Sequence, residues 1–151
     1  MLWVDAVFAY LHFTAVFVLF AFLSIELVLL KGELAPAAIR MLGRMDMWYF
    51  GSTIVVLATG FARLVFGAKG PQFYLQSWPI YVKVALFLLV VVISVKPTLG
   101  FIRWRRELDH DPAWRVPAAE QRSLRRRVLL EVHIAALIPA FAVIMARGLG
   151  H

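Results

Sequence analysis

Cysteine is absent from the 151 residues, which excludes disulfides, thiolate metal sites and cysteine nucleophiles in any compartment. Charge is scarce too. Asp, Glu, Lys and Arg make up 17% of the chain against 62% hydrophobic residues, a balance unsuited to an ordinary soluble domain. The sequence also lacks a phosphate-binding glycine loop, a hydrolase triad, a zinc-ligand spacing, an internal repeat and any low-complexity stretch. What it has in quantity is long apolar runs, so the bilayer is its solvent.

Four such runs are present, at approximately residues 4–30, 47–67, 78–102 and 127–147. At about 1.5 Å per helical residue each spans a hydrocarbon core of ~30 Å, the first with length left over for tilt. The expected fold is all-α, a single integral membrane domain built as a four-helix bundle, with a link at approximately 103–126. Pro97 and Pro139 fall inside or near the ends of the last two spans, where a missing amide hydrogen bond favours a kink. The opening MLWVDAVF has an acid and no Lys or Arg. The apolar run behind it is longer than a signal peptide's hydrophobic region, so a cleaved signal is not expected.

The basic residues are unevenly shared. Twelve of the sixteen Lys and Arg residues fall in or beside the first and third connections, and four (Arg63, Lys69, Lys83 and Arg147) fall on the other side. The positive-inside rule then puts the arginine-rich link in the cytoplasm and both termini outside, in a bacterial cytoplasmic (inner) membrane. The net charge of +7 follows from this topology, and no basic face is left for nucleic acid. The clustered arginines face lipid phosphates, so membrane lipid is the expected partner. A homo-oligomer or a larger membrane complex is compatible with so small a bundle.

Ionisable groups inside a bilayer are costly and normally face the bundle interior. On the first span Asp5, His12, Leu19 and Glu26 recur every seven residues and share a stripe. On the fourth, His133 and Arg147 share one in the opposite direction. Fourteen residues climb about 21 Å, so antiparallel neighbours would set Glu26 level with His133, and His12 level with Arg147. The inner level gathers Glu26, His133, Glu131 and Asp46, with Ser94 and Lys96 near that depth, and Glu26 and His133 are the expected polar pair, as a structural hydrogen bond or as a proton relay. His12 and His133 are the candidate metal ligands, at different depths and so not on one iron. Arg63, Lys83 and Arg147 gather at the level of His12 and can hold carboxylates. A porphyrin in the outer half, with His12 on its iron and its propionates on Arg63, Lys83 or Arg147, would employ all four residues. The alternative is that the cations snorkel to headgroups and His12 bonds a neighbouring helix. Met41, Met45 and Met47 are a weaker candidate, for copper. Ser52, Thr53 and Thr59 are expected to bond between helices.

The early histidine in DAVFAYLHF, and a third span entered as SWPIYVKVALFLLVV, carry a resemblance. At these helices the chain resembles the HemJ-type protoporphyrinogen oxidases and, more loosely, CopD-type copper-resistance membrane domains. It looks still closer to a group of short four-helix bacterial membrane proteins that share His133 and the ending IMARGLGH. The HemJ resemblance implies that His12 binds haem b and that Lys83 serves the oxidase reaction. The chain departs from that pattern with Glu26 where a basic residue is usual, and with no histidine around Ser94. The function expected is therefore haem b binding with an electron-transfer or porphyrin-oxidising role. Against it stand a non-catalytic accessory or assembly subunit, and a small transporter or proton conductor using Glu26 and His133.

Overall fold

Backbone amides in lipid have no water to bond, so an apolar run must satisfy them within itself, as a helix. The computed structural model describes residues 2–149 and is helical throughout, with no strand among those residues. The elements are α1 (Leu2–Leu29), α2 (Pro36–Phe66), a short α3 (Gly70–Leu75), α4 (Trp78–His110) and α5 (Ala118–Ala146). The four long helices are each long and apolar enough to cross a membrane.

Proline marks the starts. Pro36 opens α2, Pro79 lies in the first turn of α4 and Pro117 caps α5, positions where a missing N–H costs nothing. Asp111 closes α4, its Oδ1 accepting the Ala113 amide at 2.9 Å in an Asx turn. Helix persists well beyond the hydrophobic runs. Residues 36–46, read from sequence as part of a connection, belong to α2, and the break between α4 and α5 is confined to 111–117. The reason is local: Ala, Arg, Leu and Glu or Met dominate the extensions, and past Pro36 only Gly43 is a poor helix former. The 33 residues of α4 reach about 50 Å, well past a ~30 Å core, so its arginine-rich end stands out of the lipid. Met41 and Met47 are exposed on α2 and Met45 is half-buried.

α1 packs along α2 and α5 along α4, and the two hairpins meet through α2 with α4 and α1 with α5. α1 and α4 therefore face each other across a diagonal. Gln121 Nε2 donates to the carbonyls of Leu30 and Gly32 at 3.1 and 2.8 Å, satisfying acceptors that the end of α1 leaves open. On the opposite side Lys69 Nζ reaches the Ala146 carbonyl at 3.4 Å, tying the α2–α4 connection to the end of α5. The bundle thus has a link half, at the arginine-rich end, and a terminal half, where the chain begins and ends.

The core is lopsided. Leu19, Leu23, Leu30, Ile39, Leu42, Tyr49, Phe101, Trp104, Leu108 and Val128 are buried together in and below the middle of the bundle. Among the described residues, α1 buries nothing before Ala15, α2 nothing after Val56 and α5 nothing after Ala135, while α4 buries only Pro79 before Val90. The link half is a closed core and the terminal half an open one. Gly100 explains how tightly the closed half is drawn, since a Cβ there would stand 2.4 Å from Leu124 Cδ1. Small residues let membrane helices approach in this way. Gly100→Val should therefore separate α4 from α5 and destabilise the protein by about 1–3 kcal/mol. Unfolding in a mixed-detergent titration measures this, and an unchanged midpoint would mean that Leu124 yields freely.

Candidate functional site

His12 sits half-buried on α1 against Gly60 of α2, where a Cβ would come within 3.3 Å of its Cε1. Its Nδ1 lies 3.0 Å from Thr59 Oγ1. The Thr59 hydroxyl sends its one proton to the Val55 carbonyl at 2.7 Å, so towards His12 its oxygen accepts and Nδ1 donates. The lone pair is then on Nε2, and the ring is held against α2 by Thr59 and by the Val56 backbone.

Two cations share that level. Arg63 of α2 and Lys83 of α4 both act electrostatically on His12, and on each other. The guanidinium of Arg63 lies over the Phe13 ring, 5.3 Å from its centroid, while its Nε is buried without a hydrogen bond. Among the described residues ion pairs occur only at the link end, between Arg40 and Asp109 at 3.0 Å and between Arg103 and Glu120. Arg63 and Lys83 thus have no carboxylate partner. Asp5 lies two turns before His12 on α1, and its Oδ1 is also buried and unbonded. The open terminal half therefore brings together one imidazole, two cations and, two turns further along α1, one carboxylate, with no ion pair among them in the described residues.

A family model described as predicted membrane protein (DUF2214) matches residues 4–150, nearly the whole chain. The chain belongs to the DUF2214 family. No curated protein matches it, and no solved structure does. The four apolar helices agree with the family's description.

Of the residues singled out from the sequence of this DUF2214 member, the fold brings His12, Arg63 and Lys83 together. Arg147 is elsewhere, exposed just past α5 with its amide bonded to the Val143 carbonyl. His133 also differs from expectation. It is exposed on α5, and its Nδ1 bonds to the Leu129 carbonyl at 2.7 Å, an internal bond suited to a ring that faces lipid. Glu26 is buried at 2% exposure and has Asp46 and Glu131 as neighbours. Glu131, two residues before His133, thus occupies the position expected of the histidine. Two residues turn a helix by about 200°, so the two side chains are on opposite faces. A carboxylate costs more to leave in lipid than an imidazole bonded to its own helix, and this sets the rotation of α5. Ser52 and Thr53, expected to bond between helices, donate instead to the Trp48 and Tyr49 carbonyls of their own helix. Thr59 alone of the three reaches another span.

Proposed function

We propose that this DUF2214 protein binds haem b in the terminal half of the bundle, with His12 as an axial ligand and Arg63 and Lys83 holding the propionates, in an electron-transfer or porphyrin-oxidising role. The observation that carries the reading is the open half itself: it has few buried side chains just where His12, Arg63 and Lys83 share a level and, among the described residues, neither cation forms an ion pair. These residues fit the group. A neutral imidazole anchored through Nδ1 is a haem-iron ligand, and unpaired cations in a low-dielectric site call for carboxylates. Bound there, haem supplies one-electron exchange. The protein's own contributions are to fix the ring of His12 through Thr59, to neutralise anionic groups with Arg63 and Lys83, and to exclude water by the closed core below. Lys83, facing His12 across the diagonal, is also the residue placed to exchange a proton with a bound porphyrin substrate. The setting is the bacterial cytoplasmic membrane with both termini outside, supported by the twelve-to-four division of basic residues.

The same opening favours one other reading, in which a partner helix fills it and the chain is an accessory subunit. Absorption spectroscopy of the protein purified in detergent from haem-replete cells separates the two. A Soret band that shifts on reduction is expected. Colourless protein that co-purifies with a second membrane protein in fixed proportion supports the accessory role and rejects the haem.

A further inference from the structure

The link half holds a second polar centre, which the haem reading does not use. Glu26 of α1, Asp46 and Tyr49 of α2, and Glu131 of α5 converge there, and Ser94 and Thr98 of α4 complete the ring. Every spanning helix contributes. Glu26, Glu131 and Tyr49 are exposed by only 2%, 1% and 3%. Thr98 Oγ1 donates to Asp46 Oδ1 at 2.8 Å, but Glu26 Oε1 and Glu131 Oε1 are buried without a hydrogen bond. The buried Tyr49 hydroxyl lies within hydrogen-bonding approach of Glu131, Ser94 and Thr53.

Among the described residues no cation neutralises this centre. Arg40 and Arg103 are committed to Asp109 and Glu120, and Lys96 on α4 is exposed. Three carboxylates cannot remain charged together in so dry a place, so something positive must bind. Among the described residues no three acidic or histidine side chains stand close enough to enclose a metal ion. Protons meet the need without a shared coordination sphere: a protonated carboxyl becomes a donor, and the Tyr49 oxygen beside Glu131 can accept from it.

The centre also has an entrance. A groove of about 620 Å³ runs between α2 and α4, with Asp46 and Thr98 at its inner end and Arg105, Arg106, Asp109 and His110 towards the link. Asp46 thus touches both the groove and the dry cluster. We propose that Glu26, Asp46, Glu131 and Tyr49 form a proton-binding site, loaded through the groove at Asp46 from the arginine-rich face. It stands independently of the haem, in the opposite half of the bundle. The groups that face it are Asp46 and Tyr49 from α2, Ser94 and Thr98 from α4 and Glu131 from α5, all turned towards Glu26 of α1. Arg105 and Arg106 repel cations at the mouth, while Asp109 and His110 can pass protons inward.

Infrared spectroscopy of the full chain in lipid at neutral pH reads the site directly, because a protonated carboxyl has a C=O stretching band that a carboxylate lacks. The wild type should show that band, and carbon-13 labelling of glutamate should shift it, an assignment that needs no variant to fold. Glu26→Gln and Glu131→Gln should each remove part of it. Tyr49→Phe should move its frequency without removing it, and Asp46→Asn should slow its response to transfer into deuterium oxide. A spectrum without the band would overturn the proposal. So would a band insensitive to glutamate labelling, or one lost on adding sodium or potassium at constant pH, which would mark a metal-cation site. Deuterium exchange unaffected by Asp46→Asn would overturn the groove as the route.

Discussion

His12→Ala should leave the protein inserted and folded, yet abolish its haem absorbance. The two effects separate because they rest on different atoms. What the bundle loses is one interhelical hydrogen bond, from Nδ1 to Thr59, a contact worth about 0.6 kcal/mol on average in membrane proteins, in a half where the apolar core is already open. What the proposed haem would lose is its ligand, Nε2. Thr59→Val, which removes only the acceptor that orients the ring, should weaken haem binding by about 10–100-fold. Exogenous imidazole should restore colour to His12→Ala, since the substitution leaves a cavity of the ring's shape beside Gly60. His133→Ala should be silent in the spectrum, because that ring faces outward and bonds its own helix. Equal loss of haem from the His12 and His133 variants would reject this placement.

Trp104→Ala should be the most destabilising single change, at about 3–5 kcal/mol. The indole is fully buried and packs on Phe101 with ring centroids 5.7 Å apart. Its Nε1–H donates to Glu120 Oε1 at 2.7 Å. Glu120 in turn pairs with Arg103, so the ring closes the corner where α4 passes into α5. Removing it opens a cavity in the closed half of the core and takes one of its donors from the Glu120 carboxylate, which keeps Arg103. Trp104→Phe keeps much of the volume but not the donor and should cost less, and Glu120→Gln less again, because an amide oxygen still accepts. Helical circular dichroism along a denaturing-detergent titration measures all three. A loss below about 1 kcal/mol for Trp104→Ala, the level of an ordinary surface change, would show that the corner does not hold the bundle.

Much of this architecture is legible in the residues alone. Four apolar runs of bilayer length dictate four helices, and the uneven basic residues divide the two ends. The level shared by His12, Arg63 and Lys83 follows from counting along helices at 1.5 Å per residue. Counting fixes depth, however, and leaves rotation open. On α5 either Glu131 or His133 can face inward, at the same depth to within about 3 Å, and only the cost of each side chain in lipid decides between them. A comparison of those costs would have found Glu131. The level of Asp46 was legible as well, but its place inside a helix was not: helix breakers do not mark the edge of the membrane, so α2 runs on from Pro36 and carries Asp46 into the bundle wall. The open terminal half could not be read from the pattern of apolar residues, because a lipid-facing leucine and a buried one look the same in sequence.

The central claim is that the open half holds haem on His12, and haem quantification by the pyridine haemochrome method on the purified chain tests it most directly. The prediction is haem b in stoichiometric proportion to the wild-type protein, retained by His133→Ala and lost from His12→Ala. Wild-type protein that remains without haem after expression and reconstitution with it would contradict the claim.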